Sequence, residues 1–390
     1  MKNQRDTFID VFKGILILWV INIHTIVWSG DSYISDNIQQ LFLLMDVPVF
    51  FFISGYLTKS SNFLSSLKKS LRQFLSLYYR YVFISLVLII FISLGYLILK
   101  YLEITLFEII NIPVKNILFT KNHFNLNDVF SAIISMLKLR PNSEFWLYTT
   151  LGCYDYNLWY LRTYLLVLPF LGIALYVMRS FKRKFILILS PLLVFYFLWY
   201  LEINQIVHFK KTIFFGLFYL FICLLGAFYK QQELRINLRY LIFSFLLNII
   251  LIYPVFLIDN GRILIQAHKF PPSFLYLIYS LIPIHIFIIL KHIWKYPRKK
   301  RIRKIVRCFE WCGQNVYPIY ILQSVVCSLP IRLTTHIHNY VPNFLLYFLV
   351  LTFNLSITLL VVQQYLRFES LCMNLSNTIT SIKFYNYLKK

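Results

Sequence analysis

FKGILILWVINIH, Phe12 to His24, is apolar but for Lys13, Asn22 and His24, and the apolar run goes on to Trp28. At 1.5 Å per residue, a helix through this run covers most of the ~30 Å of hydrocarbon in a bilayer. Eleven residues separate Lys13 from His24, so a helix sets both side chains on nearly the same face, about 16 Å apart along the axis. One stripe then carries a cation at one membrane surface and a titratable ring far inside.

The rest of the chain repeats the apolar pattern. Of 390 residues, 59% are hydrophobic and 14% charged, with a mean hydropathy of +0.67. Spans are predicted near residues 12–28, 41–58, 81–100, 157–178, 185–201, 212–229, 240–258, 273–290, 313–331 and 343–365. The expectation is an all-α polytopic bundle of about ten transmembrane helices forming a single domain, 1–390, because no polar block is large enough to fold separately. Residues 101–156 form the one long interruption, an extracytoplasmic loop whose LFEIINIPVKNILF and DVFSAIISMLKLR read as amphipathic segments.

A net charge of +24 in a soluble protein would point to nucleic acid; here the placement of the charges argues against it. Counting Lys13, 28 of the 39 Lys and Arg fall in alternate loops and at the termini, including Lys59, Lys68, Lys69, Arg72 and Arg80, RSFKRK at 179–184 and the long basic run from Lys291 to Cys312. The positive-inside rule makes that side cytoplasmic, so both termini and the tail 366–390 are expected there, in a multi-pass protein of the inner membrane. Membrane lipids are the first partners implied, through basic residues at anionic headgroups. Cys153, Cys223, Cys308, Cys312, Cys327 and Cys372 fit no zinc spacing, no metal is implied, and the N-terminus lacks the cleavage pattern of a signal peptide. No phosphate loop of the GxxxxGK[ST] type is present, which counts against an ATP-driven transporter.

Ionisable groups inside spans are costly and mark function by default. They are His24, Asp46, Arg162 and His285. His24 and Asp46 lie at matching depths in spans 1 and 2, so a hairpin of the two would let the carboxylate accept the Nδ1 hydrogen and orient the ring. Span 2 continues as DVPVFFFISGYL, where Pro48 can break the helix and Ser54-Gly55 admits close approach of a backbone or a ligand. Lys68 and Arg72, at i and i+4, and Arg80 two turns on, give a cationic face suited to headgroups or to a phosphate clamp.

Taken together, Lys13 with His24, VPVFFFISGYL, the Lys68/Arg72 pair, LWYLR at 158–162, CLLGAFY at 223–229 and GQNVYPIYILQ at 313–323 resemble the membrane acyltransferase-3 family over nearly the whole chain. The resemblance implies a ten-span O-acyltransferase that moves an acetyl or similar small acyl group from acetyl-CoA to a hydroxyl of a cell-surface glycan or lipid-linked glycan precursor. By that likeness His24 is the catalytic base, and the matching depths of spans 1 and 2 add Asp46 as the carboxylate expected to orient it. Lys13, Lys68, Arg72 and Arg80 are expected to hold the donor phosphates, and Ser54, Gly55, Trp159, Tyr320 and Gln323 to face substrate, as is Arg162, for which the likeness itself implies no role. Lys13 stands where arginine is usual, and Gln323 where many members carry histidine. Relatives with a fused hydrolase-like domain imply that this chain acts alone or beside a separate polysaccharide-assembly protein. A transporter or flippase for a lipid-linked glycan, or an export partner without chemistry, shares the same broken helices and buried titratable groups.

Overall fold

The computed structural model describes residues 5–28, 34–45, 47–58, 63–102, 126–137, 158–180, 184–204, 211–233, 237–259, 261–270, 272–295, 300–330, 334 and 340–388. These residues form fourteen helices, with no strand among them. Eight helices are long and apolar enough to cross a bilayer: α1 (Thr7–Trp28), α4 (Phe63–Leu102), α6 (Trp159–Ser180), α7 (Lys184–Ile203), α8 (Lys211–Gln232), α9 (Leu238–Ile258), α11 (Phe274–Ile293) and α14 (Asn343–Leu388). Shorter elements are α2 (Asp36–Phe42), α3 (Val47–Leu57), α5 (Leu126–Leu137), α10 (Ile265–Lys269), α12 (Lys300–Gln314) and α13 (Val316–Val326). Of the loop 101–156, only α5 and the end of α4 are described, and LFEIINIPVKNILF lies outside the described residues.

Two of the ten expected crossings are not single continuous helices among the described residues. α3 and α13 each have 11 residues, about 16 Å of helix, half of what the hydrocarbon requires. Each continues an element before it across a break: α2 stops at Phe42 and α3 begins at Val47, while α12 and α13 are separated by Asn315, whose φ of −112° and ψ of 26° are not helical. The first break falls at LLM just ahead of Asp46, and the second at GQN, between the basic run of α12 and the apolar α13. The basic stretch 63–80, expected as a separate loop helix, is continuous with the following span in α4. The tail remains helical through Leu388.

α1 is the central element. Within its apolar window 67% of residues are buried, against 17% for α7 and for α9. Its residues enter both large cores: Phe8, Phe12 and Leu16 join the packing of α3, α8 and α11, while Ile17, Val20 and Ile21 join that of α4, α6 and α13. Polar bonds add to the contact with α14, where the Asn354 amide donates to Thr25 Oγ1 at 2.9 Å, an interhelical link of the kind that holds helices together in lipid.

The closest backbone approaches are made by glycines in pairs. A Cβ on Gly14 would lie 1.9 Å from the Phe309 carbonyl oxygen, and one on Gly313 1.7 Å from that of Asp10. Gly55 and Gly226 meet in the same way, at 1.8 Å from the oxygen of Cys223 and 2.0 Å from that of Phe52. Gly14 and Gly313 are 299 residues apart, and so are His24 and Gln323, which are hydrogen-bonded. One offset at two points ten residues apart means that α1 and the broken pair α12/α13 run side by side in the same direction, with Asn315 beside the middle of α1.

The two ends of the bundle differ. At one, Lys291 meets Asp6 and the Tyr56 hydroxyl donates to Glu233 at 2.9 Å; these residues adjoin the basic loops. At the other, Trp19 Nε1 donates to the Phe42 carbonyl at 2.8 Å and the Gln266 backbone N–H donates to Gln40 Oε1 at 2.9 Å, tying α10 to α2.

Candidate active site

A cavity of about 340 Å³ lies beside the second half of α1, toward the end of the bundle away from the basic loops. His24 lines it, together with Val20 and Ile23 of the same helix. Leu43 and Val47, which flank the break in span 2, and Val316, which follows the break at Asn315, also line it. Both interruptions thus border one cavity, the arrangement in which irregular backbone is tolerated at membrane depth. Aromatic rings form much of its wall: Phe50, Trp159, Tyr160, Phe270 and Tyr320, with Tyr160 edge-on to Tyr320 at 5.2 Å between centroids.

His24 Nδ1 lies 2.9 Å from Gln323 Oε1. Asp46, expected as the orienting carboxylate, lies outside the described residues, and Gln323 is the Nδ1 partner seen. Gln323 is fully buried and its Nε2 donates to the Tyr320 carbonyl at 3.2 Å. Of the residues expected at substrate, Trp159 and Tyr320 line the cavity with His24, whereas Arg162 does not. Ser54 is placed differently: its hydroxyl shares a 2.7 Å hydrogen bond with the Tyr164 hydroxyl, to which Gln73 Nε2 donates at 3.1 Å. Gly55 faces the backbone of α8, so its missing side chain serves helix packing and not ligand access. His285 bonds the Leu281 carbonyl through Nδ1 at 2.8 Å and Ser244 through Nε2 at 2.9 Å, a helix-to-helix role.

The expected cationic track divides into two sites. Lys68, Arg72 and Arg80 share a groove of about 960 Å³ along one face of α4, walled by leucines, Tyr79 and Phe83. Arg80 also contacts Glu369 of α14 at 3.1 Å. Lys13 does not line that groove; its ammonium pairs with Asp10 at 3.0 Å, and Arg5 pairs with the same carboxylate. The i, i+3 spacing of Asp10 and Lys13 is visible in the sequence and signals this pairing. Gln73 follows Arg72 directly, so its bond to Tyr164 starts a polar line into the bundle, through Tyr160, stacked on Tyr164 at 5.9 Å, to Tyr320 and Gln323.

Lys269 escapes sequence reasoning altogether. It lines the His24 cavity from α10 at 5% exposure, with Nζ 4.8 Å from the Trp159 ring centre and 5.2 Å from that of Phe270. A lysine buried this far is rare, and its one visible signal is a position on the lysine-poor side of the membrane. Gln266 and Phe270 reach the cavity from the same segment.

Comparison with known proteins follows the same division of the chain. A family model described as Acyltransferase domain matches residues 6–363, which takes in both broken spans, the His24 cavity and the α4 wall of the basic groove. No curated protein and no solved structure matches. A match of that extent, on a bundle with eight membrane-length helices, places the chain in the membrane acyltransferase-3 family, as a multi-pass membrane acyltransferase.

Proposed function

We propose that this acyltransferase moves an acetyl or similarly small acyl group from acetyl-CoA to a hydroxyl of a cell-surface glycan or of its lipid-linked precursor, in the inner membrane with the basic loops cytoplasmic. The observation that carries the reading is a histidine inside the membrane, held by a buried amide and facing a cavity walled by aromatic rings. Such rings suit the apolar faces of a sugar. Neutral imidazole is the base for the step: His24 takes the proton of the acceptor hydroxyl while its oxygen attacks the thioester carbonyl. The tetrahedral intermediate then collapses with cleavage of the C–S bond, the imidazolium returns its proton to the leaving sulfur, and the products are the O-acyl glycan and free CoA thiol. Tyr320, which lines the same cavity, is the candidate donor to the oxyanion.

Lys68, Arg72 and Arg80 in their common groove suit the phosphates of CoA. The polar line from Gln73 through Tyr164 and Tyr160 is the proposed route of the pantetheine arm toward His24. Replacing Lys68 and Arg72 by glutamine is expected to raise KM for acetyl-CoA about tenfold or more, as the loss of charge-assisted bonds requires, while kcat changes little. Initial rates of thiol release across acetyl-CoA concentrations check this; an unchanged KM places the donor elsewhere.

The two broken spans around an intramembrane histidine also favour a second reading, a transporter or flippase for a lipid-linked glycan. Purified protein in vesicles separates the two. Acyl transfer releases thiol from acetyl-CoA and leaves the label on a glycan, both dependent on His24, whereas a conduit moves glycan without consuming the thioester. Mass analysis of surface glycans from cells with and without the protein then names the acceptor by the acyl mass lost. The acyl-transfer reading falls if thiol release is absent or indifferent to His24.

A further inference from the structure

Two layers of side chains stand between the His24 cavity and the basic loops. The first is the cavity floor. Phe50 of α3 and Tyr160 of α6 line it and meet at 6.1 Å between ring centroids, and Tyr160 stands edge-on to Tyr320. Ser54 and Tyr164 follow four residues later on the same two helices, one turn nearer the basic loops. There the two hydroxyls share a hydrogen bond of 2.7 Å, and Gln73 Nε2 of α4 donates to the tyrosine oxygen at 3.1 Å. Beside this second layer lies a void of about 10 Å³, bordered by Thr58, Ser70, Gln73 and Gly172, which is barely room for one water. Among the described residues it shares no wall with the His24 cavity. Gln73 directly follows Arg72, which lines the basic groove, so a line from that groove into the bundle meets the Tyr164 hydroxyl before it meets Tyr160 and the cavity.

We infer that Tyr164 is an inner gate: its ring, latched by Ser54 and Gln73, closes the His24 cavity against the basic face and must turn aside for the donor to enter. Turning gives up two hydrogen bonds among apolar helices, where replacements are scarce, so the closed form is the resting one. The key has to supply what the latch loses. A pantetheine arm carries two secondary amides, each with a donor and an acceptor, and these can bond Ser54, Gln73 and the freed tyrosine hydroxyl in turn. A ligand that bonds only the open form shifts the equilibrium toward it. Small apolar molecules offer no such bonds and leave the gate shut, which keeps water from crossing between the basic face and the base. Only the identity of what passes rests on the acyl-transfer reading; the closure itself stands on packing and hydrogen bonds.

The test reads access directly, with the full-length protein in vesicles that turn the basic loops outward. A charged, membrane-impermeant thiol reagent is added to that face, and labelled peptides are separated by mass. Val20→Cys places a thiol on the wall of the His24 cavity, and native Cys308, exposed on α12, gives the reference rate in the same molecule. With Tyr164 intact, Cys at position 20 is expected to react at least about tenfold more slowly than Cys308, as a site reached only through local opening does. Tyr164→Phe, which keeps the ring but loses both latch bonds, and Tyr164→Ala, which removes the ring, should each speed position 20 by at least about threefold while Cys308 is unchanged. The inference is overturned if position 20 reacts within about tenfold of Cys308 with Tyr164 in place, a result that needs no gate variant to fold, or if both Tyr164 variants leave its rate within about threefold. If Tyr164 governs labelling but no form releases thiol from acetyl-CoA, acyl transfer falls and the gate stands. If His24-dependent thiol release is found while labelling is indifferent to Tyr164, the gate falls and the donor enters by another path.

Discussion

Replacing His24 by alanine or glutamine is expected to lower acyl transfer from acetyl-CoA by about three orders of magnitude, within the range that a positioned general base contributes. At room temperature this corresponds to about 4 kcal/mol of lost transition-state stabilisation. The two variants divide chemistry from structure. Alanine leaves Gln323 Oε1, in a fully buried side chain, without its ring partner, and an unmade buried hydrogen bond costs about 1–3 kcal/mol of stability. Glutamine keeps an amide that can reach Gln323 but has no titratable nitrogen, so it should hold the protein closer to wild-type stability while remaining inactive. Thiol release from acetyl-CoA, measured beside the thermal stability of the same detergent-solubilised sample, is the check. If His24→Gln keeps more than a tenth of the wild-type rate, the histidine is not the base.

The second large effect is expected from the glycine crossings. A methyl group on Gly14 or Gly313 would sit 1.9 or 1.7 Å from a backbone oxygen, where nonbonded atoms need roughly 3.5 Å. A side chain could turn away, but a helix carbonyl cannot, so α1 and α12 must move apart along their length. Each alanine should cost about 1–3 kcal/mol or more, the usual range for overpacking. The double substitution Gly14→Ala with Gly313→Ala should cost less than the two singles added together, because the second methyl enters space that the first has opened. Gly216→Ala is the control: its nearest neighbour is the end of the Leu166 side chain at 3.1 Å, which can give way, and the change should be nearly neutral. Melting by fluorescence-detected size exclusion reads all four variants, and equal melting of Gly313→Ala and wild type would show that this crossing does not bear on stability. Because the His24–Gln323 bond lies on the same helix pair, the Gly14 and Gly313 variants should also lose activity at temperatures where they remain folded.

Much of the bundle was legible because crossing a bilayer demands an apolar run and little else. The breaks after Phe42 and at Asn315 were not, since single polar residues such as Asp46 and Asn315 also occur in unbroken helices, although Pro48 marks the first. Ser54-Gly55 was read correctly as a place of close approach, and the partner proved to be the backbone of α8. Lys13, expected at the donor, is paired with Asp10 three residues earlier, a spacing visible in the sequence. Lys68, Arg72 and Arg80 share a groove because residues at helical spacing on one long helix must share a face. His24 with Gln323, and Lys269 over Trp159, join segments far apart in the chain, and no local pattern announces a contact of that kind.

The same long separation bears on how the protein is made. α1 leaves the ribosome first, yet the helices that cover Gly14 and receive His24 follow 299 residues later, about 15–60 s at ordinary elongation rates. For that interval the central pillar waits in the membrane with its polar groups and its bare glycine groove uncovered. A chain cut short before residue 300 keeps most of its spans but never seats that pillar, which makes truncated products ready targets for membrane quality control.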